Sequence, residues 1–156
     1  MEMSELLEKF AAQTGVAGGF SPDEEGVVRI DVGACTVCFR EVPELYGMLV
    51  YGVLGALPTH GADALKTELL SANFMGRATA GGTLSLSEDG FVYYHRLCDL
   101  RMIDLDGFME LLTDCAQTML EWKGLIEAYA PAAEPQAADQ AAGQTDVTGP
   151  ANFIRV

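Results

Sequence analysis

Residues 45 to 57, Leu-Tyr-Gly-Met-Leu-Val-Tyr-Gly-Val-Leu-Gly-Ala-Leu, form an unbroken apolar run that Pro58 closes. The run falls short of the roughly 18 residues a membrane span needs. Gly47, Gly52 and Gly55 would each cost a helix about 1 kcal/mol relative to Ala, so the segment reads as a central strand, covered on both faces and bent at glycine. Such a strand needs other strands beside it and helices over it.

The flanking sequence supplies both. Upstream, Val28, Ile30 and Val32 alternate with Val27, Arg29 and Asp31, the period of a half-buried strand. Gly33-Ala34 reads as a turn into a second strand, Thr36 to Arg40, with Val37 and Phe39 on one face. Downstream, Thr83 to Ser87 and Phe91 to Leu97 flank Ser87-Glu88-Asp89-Gly90, whose Asp-Gly pair is a strong hairpin signal. Three segments carry helical spacing instead. The first runs from about Ser4 to Thr14, with Met3, Leu6, Leu7 and Phe10 on one stripe, Ser4 as cap and Gly15 as stop. The second runs from a Thr59 cap through Asn73. The third, about Asp104 to Ala128, carries Phe108, Leu111, Leu112, Cys115, Met119, Trp122 and Ile126. The predicted order is α-β-β-β-α-β-β-α, an α+β fold with a twisted antiparallel sheet packed by helices.

The second helix has more apolar surface than one sheet face covers. Leu65, Leu69 and Ala72 make a stripe that Leu70 and Phe74 widen, which predicts a further partner surface, most simply a second copy of the chain. We expect a dimer interface at Leu65, Leu69, Ala72, Leu84 and Leu86.

At 156 residues and 49% hydrophobic content the chain is long enough for one sizeable core. Composition changes at about residue 130. Residues 1–130 carry 20 acidic and 8 basic side chains, whereas 131–156 carry 3 and 1 and are rich in Ala, Gln, Pro and Gly. We therefore expect a folded domain over 1–130 and a tail over 131–156, since such a composition cannot offset its ordering entropy by burial. The tail's apolar stretch, Asn152-Phe153-Ile154-Arg155-Val156, is a candidate occupant of a groove on its own or a neighbouring molecule. A net charge of -14 repels phosphate backbones and anionic membranes, so neither nucleic acid nor membrane insertion is expected. The first residues, Met1-Glu2-Met3-Ser4-Glu5, lack the basic start and apolar core of a signal peptide. Four cysteines show no disulfide-framework spacing. Both observations favour the cytosol.

Motifs that would carry catalysis are incomplete. Gly76-Arg77-Ala78-Thr79-Ala80-Gly81-Gly82-Thr83 approaches a phosphate-binding loop, but Gly82 stands where the lysine is required, and the loop precedes a strand instead of a helix. Cys35-Thr36-Val37-Cys38 has the spacing of half a zinc site without a second pair. Asp23-Glu24-Glu25 lies in a polar loop with nothing apolar to raise a carboxyl pKa. The two histidines belong to no recognisable triad. We expect neither enzyme activity, metal nor cofactor.

Leu69-Leu70-Ser71-Ala72-Asn73, then Gly81-Gly82-Thr83-Leu84-Ser85-Leu86, then Asp89-Gly90-Phe91-Val92-Tyr93-Tyr94 resemble the class I type III secretion chaperone family, also called the Tir chaperone family. The resemblance extends from about Ser4 to Tyr129 and includes the Gly55-Ala56-Leu57-Pro58 junction, the opening Leu105-Asp106-Gly107-Phe108-Met109 and Trp122. It implies a bacterial cytoplasmic homodimer that binds an N-proximal unfolded segment of a secreted effector and keeps it soluble and export-competent, without ATP hydrolysis. Such a segment can pair with a strand edge while its side chains fill apolar pockets. On that reading the expected effector-binding residues are Leu6, Leu7 and Phe10, with Val28, Ile30, Val37 and Phe39 from the sheet. The alternative is a non-secretory homodimeric adaptor that regulates a folded partner protein.

Overall fold

The computed structural model of the chain describes residues 2–129; the expected tail, with Phe153 and Ile154, lies outside the described residues. The elements are α1 (Met3–Thr14), β1 (Val27–Val32), β2 (Cys35–Val42), β3 (Gly47–Ala56), α2 (Ala62–Asn73), β4 (Thr83–Leu86), β5 (Phe91–Asp99) and α3 (Leu105–Tyr129), with short 3-10 turns at Pro43–Leu45 and Phe74–Gly76. The predicted order is borne out element for element. All five strands join one antiparallel sheet in the order β1-β2-β3-β5-β4, so the apolar run becomes the middle strand.

The register shows which face is the core. Val28 opposes Phe39, Phe39 opposes Val50, and Gly52 and Leu84 both oppose Tyr94. These side chains, with Ile30, Val37, Met48 and Val92, are buried. They share one cluster with Leu6, Leu7 and Phe10 of α1, Leu65, Leu69 and Ala72 of α2, and Phe108, Leu112, Cys115, Met119 and Trp122 of α3. All three helices therefore cover the same face of the sheet. The opposite face carries Leu49, Tyr51, Tyr93 and His95, all half-buried, with Val53 and Leu97 exposed. The central strand is thus covered on one face, not two. Antiparallel pairing permits this, because it does not need crossover helices on the second face.

Helix ends depart from the expected caps. Glu2 precedes α1 without a side-chain cap, and Ser4 lies inside the helix. Gly15 ends α1 as expected, left-handed at φ 71, donating its N–H to Ala11 O. Gly61, not Thr59, precedes α2, also left-handed at φ 77. Asp104 caps α3, its Oδ1 accepting the Gly107 N–H at 2.9 Å.

At Gly82 close approach alone calls for a glycine. A Cβ on Gly82 would lie 2.4 Å from Cε2 and 2.5 Å from Cζ of Tyr94, a fully buried ring whose hydroxyl faces Cys115 Sγ at 3.5 Å. The ring is packed within the core cluster, so Gly82→Ala is expected to destabilise the fold by about 1–3 kcal/mol, the usual cost of overpacking. Urea denaturation followed by circular dichroism reads this as a lowered midpoint at unchanged slope.

Candidate functional site

An open groove of ≈ 640 Å3 runs between the C-terminal half of α1, the 15–21 loop and β1. It is assembled from local sequence. Gly15 reverses the chain after α1, and the loop returns Val16, Ala17 and Phe20 alongside the helix. Phe20 stacks on Phe10 at 5.5 Å and 27°, and Phe10 meets Phe108 edge-on at 5.3 Å and 82°. The helix wall is therefore tied to the core by aromatic contacts worth about 0.5–1.5 kcal/mol each beyond their burial. Val28, Ile30 and Val32 of β1 and Leu112 of α3 complete the lining, with Thr14, Ser21, Arg29, Asp31 and Thr36 adding polar atoms.

β1 is an outer strand of the sheet, and its free edge is only partly used. Val27 donates its N–H to Asp23 Oδ1 at 2.9 Å, and Val27 O accepts the Asp23 N–H at 3.0 Å. Both Val27 peptide groups thus point away from β2. In an antiparallel pair the direction alternates, so the N–H and C=O of Arg29 and Asp31 also lie along the open edge. Asp23 closes one end of that edge. Its carboxylate takes the Glu25 N–H and pairs with the Arg29 guanidinium, and this pairing holds its pKa below the usual carboxylate value.

Of the residues expected to bind a ligand, Phe10, Val28 and Ile30 line this groove. Leu6, Leu7, Val37 and Phe39 lie in the packed core instead. The sequence reading missed Val16, Ala17, Phe20 and Val32, although an aromatic at 20 directly after Gly18-Gly19 was a usable signal.

A second surface lies at the opposite edge of the sheet, beside β4. Leu65, Leu69, Ala72 and Leu84 are buried within the protomer, while Leu86 is exposed. The strongest apolar stripe of α2 packs on its own sheet first. The side chains that remain outward are Leu70, Phe74 and Met75, exposed to 74%, 75% and 73%. The 76–82 loop that follows is held by its own neighbours. Trp122 Nε1 donates to Ala78 O at 2.9 Å, Arg96 to Ala80 O at 2.8 Å, and Thr79 Oγ1 to Gly82 O at 2.8 Å. Its carbonyls serve as structural acceptors, and Gly76 and Gly81 are left-handed at φ 65 and 76, so the turn itself calls for glycine there.

Cys35 and Cys38 point to opposite faces of β2, three residues apart on a strand of period two. Among the described residues no three His, Cys, Asp or Glu side chains gather as a metal site. No helix of the described residues is long and apolar enough to cross a membrane. Burial pushes the thiols of Cys35, Cys38, Cys98 and Cys115 above their ordinary pKa, so the reactive thiolate is scarce at neutral pH. Reaction of the native protein with an aromatic disulfide reagent at pH 7.5 (about one unit below a free thiol's pKa) is expected to be slow, with half-buried Cys98 first. All four should react rapidly once the protein is denatured, and a fast thiol in the native protein would point to a reactive cysteine.

A five-stranded antiparallel sheet with three helices on one face is an architecture shared with solved secretion-chaperone complexes. The chain resembles one in the crystal structure of the ExsC–ExsE complex, with TM-score 0.67 and 20% identity over 81% of this chain and 97% of that one. A chain of the HopA1–SchA chaperone–effector complex gives TM-score 0.66 and 17% identity over 80% and 98%. The heterodimeric ExoU–SpcU complex from the type III secretion system of Pseudomonas aeruginosa gives 0.63 and 16% over 81% and 99%. Among curated proteins no sequence matches. The family model matches residues 5–123, and the chain belongs to the Tir chaperone protein (CesT) family of type III secretion chaperones. The resemblance read from the motifs at 69–73, 81–86 and 89–94 is borne out.

Proposed function

We propose that this protein is a cytoplasmic secretion chaperone that works by binding, without catalysing a reaction, and that the groove beside β1 receives an N-proximal, unfolded segment of a secreted effector. The observation that carries the reading is the juxtaposition of an apolar groove with unpaired backbone groups at Arg29 and Asp31. An extended segment uses both at once, pairing its backbone with the edge and setting alternate side chains into the groove. Family membership and likeness to chaperone–effector complexes support this reading.

Val16, exposed to 41% on the groove rim, is the discriminating position because its replacement leaves the core packed. The probe is the N-proximal fragment of a secreted protein that co-purifies with the chain from its native cell. Val16→Asp is expected to weaken binding of that fragment about tenfold or more, with an unchanged circular dichroism spectrum. Phe10→Asp is expected to lose folding as well, since Phe10 is clamped between Phe20 and Phe108. A partner that binds only as an intact globular domain would overturn the reading in favour of an adaptor.

The active unit in this proposal is a homodimer joined through Leu70 on the outward side of α2 and Phe74 and Met75 in the turn that follows, with Leu86 adjoining. Phe74→Glu is expected to yield a folded monomer at micromolar concentration by light scattering. Leu69→Glu should unfold the protomer instead, because it places a charge in the core. A monomeric unmodified protein would remove the dimer from the proposal.

A further inference from the structure

The sheet has two outer strands, and the chain treats them differently. At β4 the Asn73 side chain makes a two-point contact with one residue. Its Nδ2 donates to Leu84 O at 2.9 Å, and its Oδ1 accepts the Leu84 N–H at 2.8 Å. That is the pair of bonds a neighbouring strand would form, made here by a side-chain amide. Two residues earlier Gly82 is closed in the same way by Thr79, whose Oγ1 donates to Gly82 O at 2.8 Å and whose carbonyl accepts the Gly82 N–H at 2.8 Å. Ser87 N–H donates inward to Phe91 O at 2.9 Å, so by alternation Leu84 and Leu86 present their peptide groups outward. Of the outward residues Gly82, Leu84 and Leu86, the first two are occupied. Thr79 is fully buried, which fixes its hydroxyl in place.

We infer that Asn73, supported by Thr79, is an edge plug that keeps β4 from pairing with β4 of a second copy. Two such strands meeting edge to edge would continue the sheet from one protomer into the next. This is the association that sheet proteins must prevent at an open edge. The site makes the risk acute, because Leu70, Phe74, Met75 and Leu86 are exposed around the same edge and would draw two copies together there. With the plug in place two copies meet by side-chain packing, and backbone pairing is left to β1. Asn suits the task because its amide carries a donor and an acceptor in one plane, the pattern of a peptide group. An alanine offers neither, and an aspartate offers no donor.

The test uses the full chain without any ligand, so it stands apart from the effector reading, which a titration decides. In the unmodified protein, the mass seen by analytical ultracentrifugation is expected to stay constant with concentration up to the hundred-micromolar range. Asn73→Ala is expected to form larger species at concentrations at least tenfold lower, with exchange of the Leu84 and Leu86 amides slowing as they form. Asn73→Asp is expected to lie between the two. If Asn73→Ala is folded by circular dichroism and keeps the same mass at every concentration, the inference is overturned. Should Asn73→Ala fail to fold, Asn73→Asp decides on the same readout. Loss of folding in both variants also overturns the inference, since Asn73 would then be a residue of fold stability and not of association.

Discussion

The placement of α3 across the middle of the sheet is the contact on which the other features depend. Met119 sits directly over Gly52, where an added Cβ would lie 1.8 Å from its Cε, so the helix comes down close to the central strand. From that seat Phe108 reaches Phe10 of α1 and Phe39 of β2 in one direction. In the other, Trp122 Nε1 holds Ala78 O of the loop after α2. The groove wall and the outward turn at Phe74 and Met75 are therefore positioned by opposite ends of one helix. A change that lifts α3 from Gly52 would loosen both surfaces together.

The charge distribution separates attraction at a distance from selection at contact. Lys9, Arg29, Lys66 and Arg101 are already paired with Glu5, Asp23, Asp63 and Asp99. Arg101 holds the Asp99 carboxyl at about 2, so this exposed pair stays charged across the physiological range. Most of the remaining charge is acidic, from a total of 23 acidic and 9 basic residues. Such a surface repels other copies and accelerates encounter with basic segments, an effect that falls with salt. In the proposed binding mode the groove, which is mainly apolar, sets the pattern a bound segment must match.

Most of the architecture was legible because it depends on local periodicity. Alternation at 27–32, the Asp89-Gly90 turn and the stripe from Phe108 to Ile126 each specify one element. Periodicity also marked Leu65, Leu69 and Ala72 as one face of α2, but it cannot tell whether that face meets the same chain or another. The protomer's own sheet takes it. The same limit applies to Leu6, Leu7, Val37 and Phe39, whose apolar character follows from core membership. What the pattern left out are residues placed by turns: Val16 and Phe20, brought to the groove by the reversal at Gly15, and Asn73, whose partner Leu84 lies across a loop.

In the proposed binding mode the two sources of affinity can be weighed against each other. Arg29 and Asp31 offer an N–H and a C=O each, and a net gain of about 0.5–1.5 kcal/mol per hydrogen bond gives roughly 2–6 kcal/mol for strand addition. Ordering a backbone of about five residues costs roughly 5–10 kcal/mol. Backbone pairing alone therefore does not hold an unfolded segment at this edge. The difference must come from apolar side chains entering the groove at about 1.5–3 kcal/mol for each one fully buried, so two or three are needed for useful affinity. Because the edge fixes the segment as a strand, only alternate residues face the groove. A sequence with the right apolar content but helical spacing would leave half of those positions unfilled, which makes spacing, more than composition, the property that this site selects.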